Sequence, residues 1–424
     1  MKPLGIYIHI PFCVKKCGYC DFLSMPAGPD MHGRYTEALL MEINGCEGKF
    51  RFDAGEYDVR TVYIGGGTPS VIDPMHIKRI IRSLEKVFGF GQINEQGYLN
   101  GDRNGSRPEY PEKDIEVTIE VNPGTVTREK LAVYRRSGIN RLSIGLQSAD
   151  DRELKALGRI HSYSDFERTY YAAREAGFEN INVDIMTAIP YQTMESLAKT
   201  IDTLAELDTP PEHISAYSLI LEEGTPFYEK YAEKSGDETE NENEGDRIRL
   251  PGEDEERAMY HFAVEHLAKY GYSRYEISNF ARPGRESRHN TSYWTGTEYL
   301  GLGAGASSLI NNVRFRNEAE TEGYMCDPAS ADRFSEEVRL GRSDRIAEFM
   351  FLGLRMSRGI SEDEFLSRFG ITVDDCFGSV LTKLIRDGLI KRNEGNISLT
   401  EDGVDYGNYV FSRFLEPATD DRSA

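Results

Sequence analysis

At 424 residues, 39% of them hydrophobic and 11% aromatic, the chain is long enough for two or three domains around a sizeable core. No apolar run reaches the roughly 20 residues of a membrane span, and Pro11 and Cys13 interrupt the first apolar stretch, so neither a span nor a secretory signal is expected. A formal charge of −21 argues against nonspecific binding to nucleic acid or anionic membrane, and six cysteines, three of them clustered, suit a reducing, cytoplasmic compartment.

In chain order, six short β-branched or aromatic runs recur, at residues 4–10, 59–64, 115–121, 141–146, 181–185 and 213–219. Amphipathic stretches at 31–43, 75–87, 128–137, 163–176 and 194–207 lie between them. This alternation predicts βαβ units and a parallel sheet. Six units with no nucleotide-type Gly-x-Gly-x-x-Gly turn favour an incomplete (β/α)6-type barrel over a flat doubly wound sheet. In a barrel of this kind the active site gathers at the C-terminal ends of the strands. The unusual residues do follow the strands: Cys13, Cys17 and Cys20, then Gly65-Gly66-Gly67-Thr68-Pro69, Glu120-Val121-Asn122-Pro123 and Gly145-Leu146-Gln147-Ser148. Asp184 lies within the fifth run, and Tyr217 and Ser218 near the end of the sixth.

Two stretches break the pattern. Residues 91–114 are rich in Gly, Asn, Glu and Pro, and residues 233–256 carry eleven acidic against three basic residues; both read as solvated, mobile insertions. A helix is expected over 255–269 and a strand or extended segment over 272–280, followed by Arg288-His289-Asn290-Thr291-Ser292-Tyr293-Trp294, with the only Trp of the chain, and a glycine-rich run over 299–308. Helices over 346–356, 361–368 and 373–387, a hairpin over 388–399 turning at 393–396, and a helix over 402–414 predict a winged-helix-like module. Eleven Lys/Arg against fifteen Asp/Glu from residue 341 onward make that module a packing or partner surface, not a DNA reader. The expected domains are a barrel core over 1–232, the acidic insertion 233–256, a barrel extension 257–340, the module 341–416 and a tail 417–424.

Three readings compete for Cys13, Cys17 and Cys20: zinc, an iron–sulfur cluster, or inert thiols. A structural zinc site is closed by four Cys or His ligands, and Asp21 and Phe22 follow Cys20 where a fourth could stand. A cubane held by three thiolates leaves one iron open, and Cys-x₃-Cys-x₂-Cys with an aromatic before the third Cys is the radical S-adenosylmethionine pattern, which favours the cluster. Glycines can let a backbone approach a small ligand closely, although they also serve any tight turn. Glu120 and Asp184 are suited to ribose hydroxyls and Arg159 to a carboxylate. Cys46, Cys326 and Cys376 read as small apolar residues.

Taken together, Tyr7-Ile8-His9-Ile10-Pro11-Phe12-Cys13, Cys17, Cys20, the Gly-Gly-Gly-Thr-Pro, Glu-Val-Asn-Pro and Gly-Leu-Gln-Ser runs and Asn182-Val183-Asp184 resemble the oxygen-independent coproporphyrinogen III oxidase superfamily, over nearly the whole chain. The resemblance implies a radical S-adenosylmethionine barrel with a [4Fe-4S] cluster on Cys13, Cys17 and Cys20, and S-adenosylmethionine held by Tyr7, Tyr19, Gly66, Gly67, Thr68, Glu120, Gln147, Arg159 and Asp184. An electron donor would reduce the cluster, which in that family splits the cofactor. True oxidases of the superfamily carry a fourth Cys two positions after the third, and a longer N-terminal extension; here the position is Phe22, and Cys13 comes near the start. The heme-chaperone branch resembles the chain at both points and is marked by His-Asn-x-x-Tyr-Trp, matched by His289, Asn290, Tyr293 and Trp294. That branch implies heme as the bound molecule, with His289 as a candidate axial ligand and the aromatics against the macrocycle, and a heme-acceptor protein as partner. Oxidative decarboxylation of coproporphyrinogen III is the alternative, and a nonenzymatic iron–sulfur module a third.

Overall fold

The computed structural model describes residues 1–90, 115–232 and 250–416. The expected insertion at 91–114, most of the acidic stretch (233–249) and the tail 417–424 lie outside the described residues.

Six strands, β1 (Lys2–Ile10), β2 (Tyr57–Gly66), β3 (Glu116–Val121), β4 (Arg141–Gln147), β5 (Ile181–Thr187) and β6 (His213–Ser218), pair in parallel in chain order. Helices α1 (Pro29–Phe50), α2 (Pro74–Phe88), α3 (Arg128–Arg136), α4 (Tyr163–Glu175) and α5 (Met194–Ala205) return the chain between successive strands. Every residue of β4 is buried, as expected of a strand covered on both faces. Helix α2 shows the local logic. Asp73 caps the amide of Met75, Pro74 fills the first turn, and Gly89 ends the helix at φ 64°. Ile77, Ile80, Ile81, Leu84 and Phe88 form its buried stripe at helical spacing.

The sheet continues beyond the six barrel strands. Helix α6 (Glu253–Lys269) follows, with Glu253, Asp254, Glu255 and Glu256 in its first turn, where the helix dipole favours negative charge. The last four residues of the expected acidic insertion therefore belong to this helix. The extended segment expected over 272–280 is an antiparallel pair instead, β7 (Ser273–Glu276) and β8 (Asn279–Ala281), with β8 against β6. Arg288–Trp294 forms a short helix, α7. The glycine-rich run supplies β9 (Glu298–Leu302), parallel to β1 on the side away from β2, then β10 (Ser307–Ile310), β11 (Val313–Asn317) and β12 (Phe334–Arg339). The result is one twelve-stranded sheet whose end strands, β12 and β7, do not pair: an open, incomplete barrel with an extension.

The glycines explain how that extension fits. A Cβ at Gly301 would stand 2.1 Å from the Ser307 carbonyl oxygen, and one at Gly303 (φ 105°) 2.6 Å from the carbonyl oxygen of His9. A buried network locks the same segment to α1. Glu42 pairs with Lys49 at 2.6 Å with both side chains enclosed, and accepts from Asn317, Tyr324 and the Gly303 amide at 2.7 Å each. Full hydrogen bonding is what makes such a buried pair tolerable.

The C-terminal part has a core of its own, from Ile346 to Phe414. Helices α8 (Arg342–Gly353), α9 (Glu362–Phe369) and α10 (Val373–Arg386) pack with a three-stranded sheet of Ile360–Ser361, Asn396–Leu399 and Ile390–Asn393, a winged-helix-like arrangement. The helix expected over 402–414 is two short ones, Glu401–Asp405 and Gly407–Ser412. No helix among the described residues is long and apolar enough to cross a membrane.

Candidate functional site

A pocket of about 390 Å³ opens at the C-terminal ends of β1–β6. Cys13, Cys17 and Cys20 line it, and all three are free thiols. The loop that carries them leaves β1 and is fastened from below. The Phe227 amide donates to the Gly18 carbonyl at 3.0 Å, and a Cβ at Gly18 would lie 2.7 Å from the Phe227 ring. Burial pushes the Cys13 and Cys20 thiols up, and the adjacent thiols add to the effect. A cationic group bound beside Cys13 and Cys20 would favour their thiolates against that burial. Among the described residues no three His, Cys, Asp or Glu side chains converge tightly enough for one metal ion. Three free thiols of one short loop line the pocket with no fourth Cys in that loop, a donor set that suits a cluster with one open iron, so the residues fit the group.

Eight of the nine residues expected to hold S-adenosylmethionine line the same pocket: Tyr19, Gly66, Gly67, Thr68, Glu120, Gln147, Arg159 and Asp184. The ninth, Tyr7, packs behind the wall, its hydroxyl 3.0 Å from His9 Nδ1 and its ring stacked on Tyr63. Arg159 is the hinge of the arrangement: it donates to Asn122 Oδ1 at 2.7 Å and to the Gly145 carbonyl at 2.8 Å, and reaches Cys17 Sγ at 3.8 Å. Glu120 accepts from the Tyr63 hydroxyl at 2.9 Å and from the Gly66 amide at 3.1 Å. Burial, with the Asp184 charge nearby, raises its carboxyl to about 7. Asp184 accepts from Asn182 at 2.7 Å and Ser143 at 3.2 Å, and burial raises it too. Gln147 holds φ at 74° in a strand end and accepts from the Tyr217 hydroxyl at 3.1 Å, a strained backbone kept by its surroundings.

The glycine triad has a second job. A Cβ at Gly66 (φ 119°) would sit 2.7 Å from the His9 ring, and one at Gly67 2.6 Å from the Phe12 carbonyl oxygen. The run seats β2 against the end of β1, immediately before Cys13, as well as lining the pocket.

Residues 7–204 match the Radical SAM superfamily, and residues 340–406 the HemN C-terminal domain. The chain is 34% identical over 414 residues to the curated heme chaperone HemW of Lactococcus lactis, covering 98% of each chain. It is 35% identical to that of Bacillus subtilis, covering 96% of this chain and 98% of that one. The chain belongs to the HemW family. Its fold is also that of the coproporphyrinogen III oxidase HemN from Escherichia coli, at a TM-score of 0.76 and 23% identity, over 97% of this chain and 90% of that one.

The four-residue signature that this HemW-family chain carries in α7 does not act as one surface. The helix closes the barrel at the N-terminal ends of the strands, where Glu116, the first residue of β3, accepts the amides of Arg288 and His289 at 3.1 and 3.0 Å. His289 is 1% exposed. Its Nδ1 lies 2.8 Å from Thr61 Oγ1, its Nε2 2.9 Å from the Tyr293 hydroxyl, and its ring stacks on Tyr63. Burial, with the Arg141 charge nearby, lowers the imidazole to about 3. Both ring nitrogens are engaged within the chain, so the axial-ligand role expected of His289 would require the imidazole to leave Thr61 or Tyr293. Asn290, one residue on, faces the barrel pocket, while Tyr293 and Trp294 line a separate cavity outside the barrel.

The sequence places Asn122 and Asn182 within motifs without a role of their own, and leaves Tyr63, Ser143 and Arg141 unmarked. Tyr63, Asn122, Ser143 and Asn182 bond the residues that were singled out. Arg141, 1% exposed, brings a guanidinium to the pocket wall. For Arg141 and Ser143 the signal is the strand register alone, Thr118 beside Arg141 and Glu120 beside Ser143. Of the remaining cysteines, Cys46 and Cys376 are buried and Cys326 is exposed.

Proposed function

We propose that this protein is a heme chaperone, which binds heme and passes it to an acceptor protein while carrying a [4Fe-4S] cluster and S-adenosylmethionine at the barrel mouth. The carrying observation is near-full-length similarity to curated heme chaperones, joined to Phe22, 69% exposed, where a true oxidase has a fourth Cys. The cluster would rest on Cys13, Cys17 and Cys20 and supply one-electron chemistry toward S-adenosylmethionine. Around it, Arg159 braces the Cys17 side of the loop against the ends of β3 and β4. Glu120 and Asp184 would offer carboxyl oxygens to ribose hydroxyls, and the Gly66–Thr68 backbone would take the amino-acid end of the cofactor. Glu120, raised to about 7, takes up or releases a proton near neutrality, so it can accept from a hydroxyl or donate in its place.

The test is anaerobic reconstitution, with a heme titration and a coproporphyrinogen III turnover assay run side by side. The reading predicts about one heme bound per chain and no decarboxylation. Sustained decarboxylation with consumption of S-adenosylmethionine would replace it with the oxidase reading.

A further inference from the structure

The cavity outside the barrel measures about 430 Å³ and lies between α7, β9–β11 and the C-terminal helices α8 and α9. That volume falls within the range of small-molecule sites. Its walls are aromatic: Tyr293 and Trp294 from α7 line it together with Tyr299 and with Phe349 and Phe369 from the C-terminal module, the last two rings set edge to face. The Arg355 guanidinium packs 4.3 Å from the centre of the Trp294 ring, fixing its plane. Three further guanidiniums, Arg314, Arg345 and Arg368, line the cavity in a chain whose net charge is −21. Arg314 is committed to Glu348 at 3.0 Å in a half-buried pair, whereas Arg345 and Arg368 are exposed. Arg345 donates from one nitrogen to the Gly341 carbonyl. Arg368 packs over the Phe349 ring and meets Glu364 at 3.3 Å, in a solvent-screened pair that a ligand carboxylate can replace. Two acidic residues share the lining, and both are bonded: Glu298 by the Tyr57 hydroxyl at 2.6 Å, Glu348 by Arg314.

From this combination we infer that the cavity binds a planar apolar macrocycle with carboxylate arms, a porphyrin dicarboxylate, with the ring between the aromatics and the carboxylates on Arg345 and Arg368. The assignment rests on the heme reading above and gives it a place. Aromatic side chains offer faces and edges to an apolar ring, and guanidiniums match carboxylates by paired, charge-assisted hydrogen bonds. Among the described residues no His, Cys or Met lines the cavity, and the hydroxyls of its two tyrosines are taken by other side chains, Tyr293 by His289 and Tyr299 by Arg314, so recognition falls on the ring and its arms and not on the metal. A carrier that grips the organic periphery leaves iron coordination for the acceptor.

Three ligands are titrated into the wild-type protein: heme, metal-free protoporphyrin IX and heme dimethyl ester, whose carboxylates are blocked. The inference predicts heme and protoporphyrin IX within about threefold of each other and the ester at least tenfold weaker, which is about 1.4 kcal/mol. In Arg345→Glu/Arg368→Glu, two exposed changes, heme should weaken at least tenfold and the ester stay within about twofold. Tight heme binding with no penalty for the ester, or with no loss in the double variant, overturns the cavity assignment and leaves the heme reading standing. Absence of specific heme binding to the wild type overturns the heme reading itself, and the assignment with it.

Discussion

The two ends of the barrel are built from similar material and do opposite things. At the mouth, carboxyl, amide and guanidinium groups of Glu120, Asp184, Gln147 and Arg159 line a pocket of about 390 Å³ beside three free thiols. At the closed end, His289, Thr61 and Tyr293 spend their polar atoms on one another, the His289 ring stacks on Tyr63, whose hydroxyl reaches Glu120 on the mouth side, and α7 stops the barrel. Polar residues near a barrel axis are thus a site only where something other than the chain is left to satisfy them. The imidazole lies at the end where nothing is left over.

The largest expected effect separates the ends outright. Cys17→Ser should abolish most cluster assembly, read as iron content and visible absorption, while leaving the melting temperature of the unreconstituted protein within a few degrees. His289→Ala should do the reverse. It loses hydrogen bonds to Thr61 and Tyr293 and the stack on Tyr63, so urea unfolding should show about 3 kcal/mol of lost stability. Cluster content in the folded fraction should be unchanged. A His289→Ala protein of full stability would mean that the closed end is not held as described.

A smaller effect sharpens the mouth. Arg159→Lys keeps the charge but cannot bridge Asn122, Gly145 and Cys17 at once. S-adenosylmethionine affinity of the reconstituted protein should fall about tenfold, or about 1.4 kcal/mol by calorimetry, with cluster content retained. Gly66→Val would be a poor probe of the same loop, because its side chain meets His9 and Ile10 before any cofactor.

The smallest effect is a difference in pH dependence. Below its ordinary value of 6.5, His289 takes up a proton in the unfolded chain and not in the folded one until about pH 3. The stability it contributes is therefore complete above pH 6.5 and declines as pH falls. Glu120 runs the other way: from 4.5 to about 7 the folded chain keeps a proton that the unfolded chain has released, so stability declines as pH rises. Glu120→Gln should flatten the neutral side of the unreconstituted protein's stability profile and leave the acid side alone. An unchanged neutral limb would show that Glu120 is ionised in the folded state.

How much of this was legible follows from where each signal lives. The barrel strands were readable because β-branched runs alternate with amphipathic helices, and the mouth because strand ends collect glycine and charge. The strand Glu298–Leu302 was hidden, since Gly301 and Gly303 read as loop until their close approach to Ser307 and His9 is seen. His289 and Asn290 adjoin in sequence yet face different compartments, and α7 decides that only after Glu116 receives its first amides. Arg141 carried no local mark at all. Its burial comes from the sheet around it.

The central claim is that the cofactor mouth and the heme-binding surface are separate places on one chain. Heme is titrated into wild-type protein with its cluster reconstituted, into the same protein without cluster, and into Cys17→Ser. Equal heme affinity, within about twofold in all three, is the predicted result. Heme binding that disappears together with the cluster would place heme at the mouth and contradict the account.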